Sequence, residues 1–159
     1  MKIASHYAID EDGQLFRGAL FEIADGKLCC FNELGLPLPE LAQMSFHSGI
    51  IVPKFPAIDT YWETLCILRN DTLAPHWLQL MPETLDSSFY LKWIDNLQAA
   101  DELFSLNKAV KLFCSSLPSL LSIAPSRFQL HEKVQFEIFS NIDYSTFRIK
   151  NNSKLRKLL

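Results

Sequence analysis

The side chains in this chain best suited to chemistry are four histidines, four cysteines and a scatter of carboxylates. Their spacing limits what they can do. His6, His47, His76 and His131 are far apart. No two lie within four residues, so there is neither an HxH pair nor an HExxH helix to grip a metal ion. His6 and His131 read as surface or strand residues, and His47 lies beside Gly49 in a strand that ends at Pro53. Cys29, Cys30, Cys66 and Cys114 contain no CxxC and fit neither a zinc ribbon nor a disulfide framework. Reduced, partly buried thiols are expected. Only five glycines occur, with no GxGxxG, P-loop or GxSxG, so nucleotide phosphates have no recognised cradle. Glu83, Asp86, Asp101 and Glu102 read as a solvated helix face, and Ser48-Gly49 and Ser115-Ser116 are not nucleophile motifs.

The elements that must position these residues are β at both ends and helical between. Lys2 to Ile9 alternates, placing Ile3, Tyr7 and Ile9 on one side. Asp12-Gly13 and Asp25-Gly26 are hairpin turns, because glycine tolerates the positive φ that tight turns need. They join Gln14–Ala24 and Lys27–Phe31 into a meander. Pro37-Leu38-Pro39 breaks the pattern, Glu40–Met44 can form at most a short helical turn, and a further strand runs to Pro53. Tyr61–Leu68 can be helix or strand. From Asp86 the period becomes helical, with Phe89, Trp93, Leu97 and Phe104 on one stripe. A break near residues 105–107 leads to a second stripe of Leu106, Val110, Phe113 and Leu117, and Pro118 suits the first turn of a terminal helix through Ile123. Val134–Phe139, Tyr144–Ile149 and Lys154–Leu158 read as strands.

These patterns predict one α+β domain over 1–159. It comprises an N-terminal β part (1–56), a mainly helical insert (57–123) and a C-terminal β part (124–159), with one sheet uniting the chain ends. With 159 residues, 48% hydrophobic and 21% charged, the chain is globular and can bury a core. It is too short for a complete (β/α)₈ barrel, which needs roughly 200–250 residues. Net charge is −3, which disfavours nucleic acid as the main partner. Residues 148–159 hold five cations and no acid, so residues 1–147 carry 10 basic and 18 acidic residues, or −8. Such a tail could touch phosphate or a membrane surface. The leucines among its charges fit a closing strand with a solvated face better. No run of about 18 apolar residues offers a membrane span, and the start lacks the apolar core of a signal peptide, so a cytoplasmic location is expected.

One segment, FHSGIIVPKFPAIDTYWE, resembles a landmark of the amidohydrolase superfamily, most closely its cytosine deaminase and chlorohydrolase-like branch. There an N-terminal meander ends in a strand reading G-x-x-x-P-G-F-x-x-x-H-x-H-x-E. Gly49 to Pro53 and Phe55 match, and Glu63 matches the trailing acid. Lys54 replaces the glycine, and the two metal-binding histidine positions fall on Asp59 and Tyr61. KAVKLFCSSLPSLLSI and the segments after it resemble the family's C-terminus, without its usual turn glycines around Arg127 and His131. The resemblance covers about two-thirds of the chain. It implies a β-sandwich-like composite domain built from both chain ends, with the catalytic barrel reduced to a helical insert. Asp59 could still supply an oxygen ligand, but tyrosine is not a usual zinc ligand. The degenerate motif therefore implies no metal, no cofactor and no catalytic residue.

Two functions follow as expectations. The first is a non-catalytic, amidohydrolase-derived protein acting in protein interaction or regulation. A sheet that has lost its barrel would expose apolar area, to be covered by the insert packing on it and by a homodimer or another protein partner. The second is a small-molecule binder, or an uncharacterised enzyme, with a pocket between sheet and insert near Asp59, Tyr61, Trp62, Trp77 and Trp93. The plainer account of those aromatics is core packing. An unrelated α+β domain remains a third reading; the ancestry requires the strands of 1–53 and 128–159 to share a sheet and fails if they form separate layers.

Overall fold

A computed structural model describes residues 1–159. The sequence's two Asp-Gly turns produce the expected meander: β1 (Lys2–Ile9), β2 (Leu15–Ala24) and β3 (Lys27–Glu33). Strand β4 (Met44–Pro53) then lies parallel to β1. After the helical insert, β5 (Phe136–Asp143) pairs antiparallel with β4, and β6 (Arg148–Lys157) with β5. The result is one mixed six-stranded sheet in the order β3-β2-β1-β4-β5-β6. Strands from the two chain ends meet at Ile50 and Phe139, so they share a sheet and do not form separate layers.

The α+β architecture is the expected one, and its sandwich-like character comes from a single curled sheet. The start of β3 reaches the segment before β5: the Leu28 N–H donates to the Glu132 carbonyl at 3.0 Å, and the Val134 N–H to the Gly26 carbonyl at 2.9 Å. Inside the curl, Phe21 packs against Phe31, Phe128 and Phe136 at 4.6, 5.0 and 4.7 Å between ring centroids. Aromatics from both ends of the chain thus fill one core.

The insert forms α1 (Trp62–Arg69), α2 (His76–Gln79), α3 (Phe89–Ala100) and α4 (Leu106–Lys111), which runs through a π-helical turn into α5 (Leu117–Leu120). Its apolar stripes bury Trp93, Leu97, Val110, Phe113 and Leu117 against Ile9, Ile50, Val52 and Phe139 on the sheet's other face. Tyr61–Leu68, ambiguous in sequence, is helical from Trp62 onward.

Residues 40–43 add no helix before β4, within the expected limit of a short turn. Two local expectations change. Tyr144–Phe147 is the β5–β6 turn, organised by the Asp143 carboxylate, which accepts the Ser145 N–H at 3.0 Å. Residues 148–157 are therefore one strand, where two short runs were expected. Ile3 and Ile9 pack in different cores despite their even spacing. Between them, Gly18 in β2 adopts φ 68° and the β1–β4 register shifts between Ser5 and Tyr7, so simple alternation does not hold.

Candidate functional site

After β4 the chain turns out of the sheet, and Pro53 and Pro56 stop it from continuing as a central strand. Phe55 anchors the exit in the core, and its N–H donates to the Glu137 carboxylate at 2.8 Å. A 3₁₀ turn, Ile58–Tyr61, follows. The loop before α3 comes back over this exit, and the Tyr90 hydroxyl donates to the Pro56 carbonyl at 2.5 Å. The seam between these segments forms a half-open cavity of about 240 Å³. Ile58, Leu85, Phe89, Leu91 and Leu155 supply apolar walls, with Glu137 of β5 among them.

Its charges are one-sided. Glu137, Asp59 and Asp86 line the cavity and no lysine, arginine or histidine does. Asp86 is engaged elsewhere: its carboxylate accepts from Lys92 and from the Ser88 N–H, which hold its carboxyl below the usual range. Glu137 is different. Burial pushes its carboxyl above the ordinary 4.5, while the Phe55 N–H and the nearby Lys54 pull it back. Burial first, and Glu137 second, push the Tyr90 hydroxyl far above its ordinary value, so it acts only as a neutral donor to Pro56.

Of the five residues singled out from the sequence, Asp59 lines this cavity, exposed at its lip. Tyr61 is half-buried against the helical core. Trp62 stands edge-on to Phe89 at 5.7 Å. Trp93 is fully buried, stacks on Trp77 at 6.0 Å and donates its indole N–H to the Trp77 carbonyl at 2.8 Å. The three tryptophans thus pack within the insert and do not line the cavity. Glu137 escaped the sequence reading because it sits on the polar side of an alternating strand, which normally faces water. The available signal was the Pro53–Pro56 exit, which folds the chain back over that side.

A zinc site needs three or more protein ligands held together. No three His, Cys, Asp or Glu side chains gather in this chain, and the positions that the resemblance gives to metal ligands hold an exposed Asp59 and a packed Tyr61. The residues present do not fit the metal that the resemblance would bring. The cysteines are unpaired, and burial raises the Cys114 thiol far above its ordinary value. No helix is long and apolar enough to cross a membrane.

Compared with known proteins, the chain matches no family profile and no curated protein. Among solved structures it is similar to N-acetyl-D-glucosamine-6-phosphate deacetylase from Mycobacterium smegmatis, an amidohydrolase-superfamily enzyme, at 14% identity and a TM-score of 0.27. A mutant of that enzyme in complex with N-acetyl-D-glucosamine-6-phosphate gives 13% and 0.29. Each match covers 63% of this chain and 29% of the other, so the chain spans less than a third of those structures. Overlap this slight says nothing about activity.

Proposed function

We propose that this chain is a non-catalytic recognition domain with an amidohydrolase-type composite sheet, and that it binds a compact organic cation in the seam cavity. The observation that carries this reading is the cavity's composition: apolar walls around a largely buried Glu137 carboxylate, with no cation lining it. Small-molecule sites combine such walls with a few placed polar groups. At about 240 Å³ the space suits a small amine better than a drug-sized molecule. An ammonium group beside Glu137 would offset the cost of burying its charge, and a short alkyl part would cover the leucines.

The interaction reading drew on a bare sheet face. In this fold one face carries the helices and the other closes on itself, so the sheet's geometry creates no need for a homodimer. Small-molecule recognition is the form that the geometry favours.

The test is thermal unfolding with short primary amines and their neutral alcohol counterparts. The amines should raise the melting temperature and the alcohols should not, and Glu137→Gln should abolish the difference. Equal responses to amine and alcohol would remove Glu137 from the reading. No response to either would remove the cavity.

A further inference from the structure

A second concavity, of about 180 Å³, has the opposite character. No hydrophobic residue lines it. Lys54, Arg127 and Lys133 line it with Ser126 and Gln135, and Glu132 is its only acid. Three cations against one carboxylate leave a local charge of +2. Residues 1–147 contain only ten basic residues against 18 acidic ones, and three of those ten meet here. None of the three lies within ion-pair distance of a carboxylate: the chain's ion pairs join Lys2 to Glu22, Lys92 to Asp86 and Lys108 to Asp101.

The backbone fixes this arrangement before any ligand arrives. The Lys54 N–H donates to the Gln135 carbonyl at 3.1 Å, and the Ser126 N–H to the Cys114 carbonyl at 3.1 Å. Lys133 forms a β-bridge with Lys27 where the sheet curls over. The cations thus come from two segments, Lys54 from the end of β4 and Arg127 and Lys133 from the connection between α5 and β5, each tied to the fold. Three cations against a single lining carboxylate repel one another, and a dianion would offset the remaining +2. A guanidinium, two ammonium groups, a hydroxyl and a carboxamide are all donors suited to the oxygens of one tetrahedral anion.

We infer that this concavity binds a compact dianionic oxyanion, with the phosphate group as its chemical class. The site shares no lining residue with the seam cavity, and the two are linked only through the charge of Lys54 on Glu137.

The experiment is a titration of the ¹⁵N-labelled chain with inorganic phosphate, at ionic strength held constant with chloride. Saturable shifts are expected at Ser126, Arg127, Lys133 and Gln135. Arg127→Gln should weaken the affinity about tenfold or more, the loss expected for one charge-assisted contact. Arg127→Gln combined with Lys133→Gln should abolish saturation. Both residues are exposed, so the variants should keep the wild-type melting temperature in chloride. Lys111→Gln, on α4 and away from the cavity, should bind phosphate as wild type does. Three results would each overturn the inference: shifts that never saturate, shifts centred on the basic residues of β6, or unchanged affinity in Arg127→Gln.

Discussion

The Gln98 carboxamide of α3 pairs with the backbone of Ile149 in β6 as a neighbouring strand would. Its oxygen accepts the Ile149 N–H at 2.8 Å and its nitrogen donates to the Ile149 carbonyl at 3.2 Å. Strand β6 is the last in the sheet, so these groups have no strand partner beyond it. Gln98 is 8% exposed, and the contact welds the insert to the strand that closes the chain. Gln98→Ala would leave both backbone groups without their partner. A loss of about 1–3 kcal/mol is expected, read by urea unfolding. Gln98→Glu keeps the acceptor and loses the donor. It should cost at least as much near neutral pH, because a largely buried carboxylate would then face a carbonyl.

Arg148, one residue earlier, closes the end of the same helix. Its guanidinium donates to the carbonyls of Gln98, Asp101, Glu102 and Phe104 at 2.8–3.1 Å. Gln98 lies in the last turn of α3, where helical carbonyls run out of partners, and the other three belong to the segment that leaves the helix. Lysine brings the charge without the planar fork, so Arg148→Lys should still destabilise the chain, by about 1–3 kcal/mol. Hydrogen exchange should then quicken first around residues 101–106, before the sheet is affected. Protection lost evenly over the whole chain would count against this local role.

A break between the two helical stripes and the two Asp-Gly hairpins are legible in sequence because each depends on neighbouring residues, although the break falls at residues 101–105, ahead of the 105–107 expected. Gly13 and Gly26 take φ of 79° and 73°, and that conformational demand shows directly in the residue type. The Tyr144–Phe147 turn hides because it contains no glycine; the Asp143 side chain organises it, and Phe147 itself adopts φ 51°. The candidate site residues hide for another reason. Glu137 borders a cavity, and Lys54 meets Arg127 and Lys133, only because β4 pairs with a strand more than eighty residues later. Local periodicity carries no information about that register. It gives Glu137 a polar face but not what covers the face.

Burial raises the carboxyls of both Glu137 and Glu11, and the sign of the resulting pH dependence follows. Each binds its proton more tightly in the folded chain than in the unfolded one. Their contribution to stability is therefore full below the ordinary 4.5 and falls as pH rises through the folded values. Glu137→Gln keeps an acceptor for the Phe55 N–H and removes the charge. At neutral pH the variant should be more stable than wild type, with the gap closing as pH falls towards 4.5. Urea unfolding of both proteins across a pH series reads the difference, in which the opposite effects of Asp86 and Asp143 cancel. Amine binding in the seam cavity should strengthen over the same rise in pH, because it requires the ionised carboxylate.

Gly49 is where the two ends of the chain press closest. A Cβ at this position would lie 2.2 Å from the Phe139 carbonyl oxygen and 3.1 Å from the Ile138 side chain, and its φ of 137° already disfavours any other residue. The obstruction is backbone of the paired strand, so no rotamer change can relieve it. Gly49→Ala must push β4 away from β5, and with it the seam that carries Phe55 and Glu137. A loss of more than about 3 kcal/mol is expected. Gly26→Ala is the matched control: its φ is 73°, but nothing lies within 4 Å of the added Cβ, so only backbone strain of about 1–2 kcal/mol applies. Urea unfolding of the two variants separates collision from strain. Equal losses would mean that β4 and β5 can part at Gly49 without cost, and that the union of the chain ends is held elsewhere.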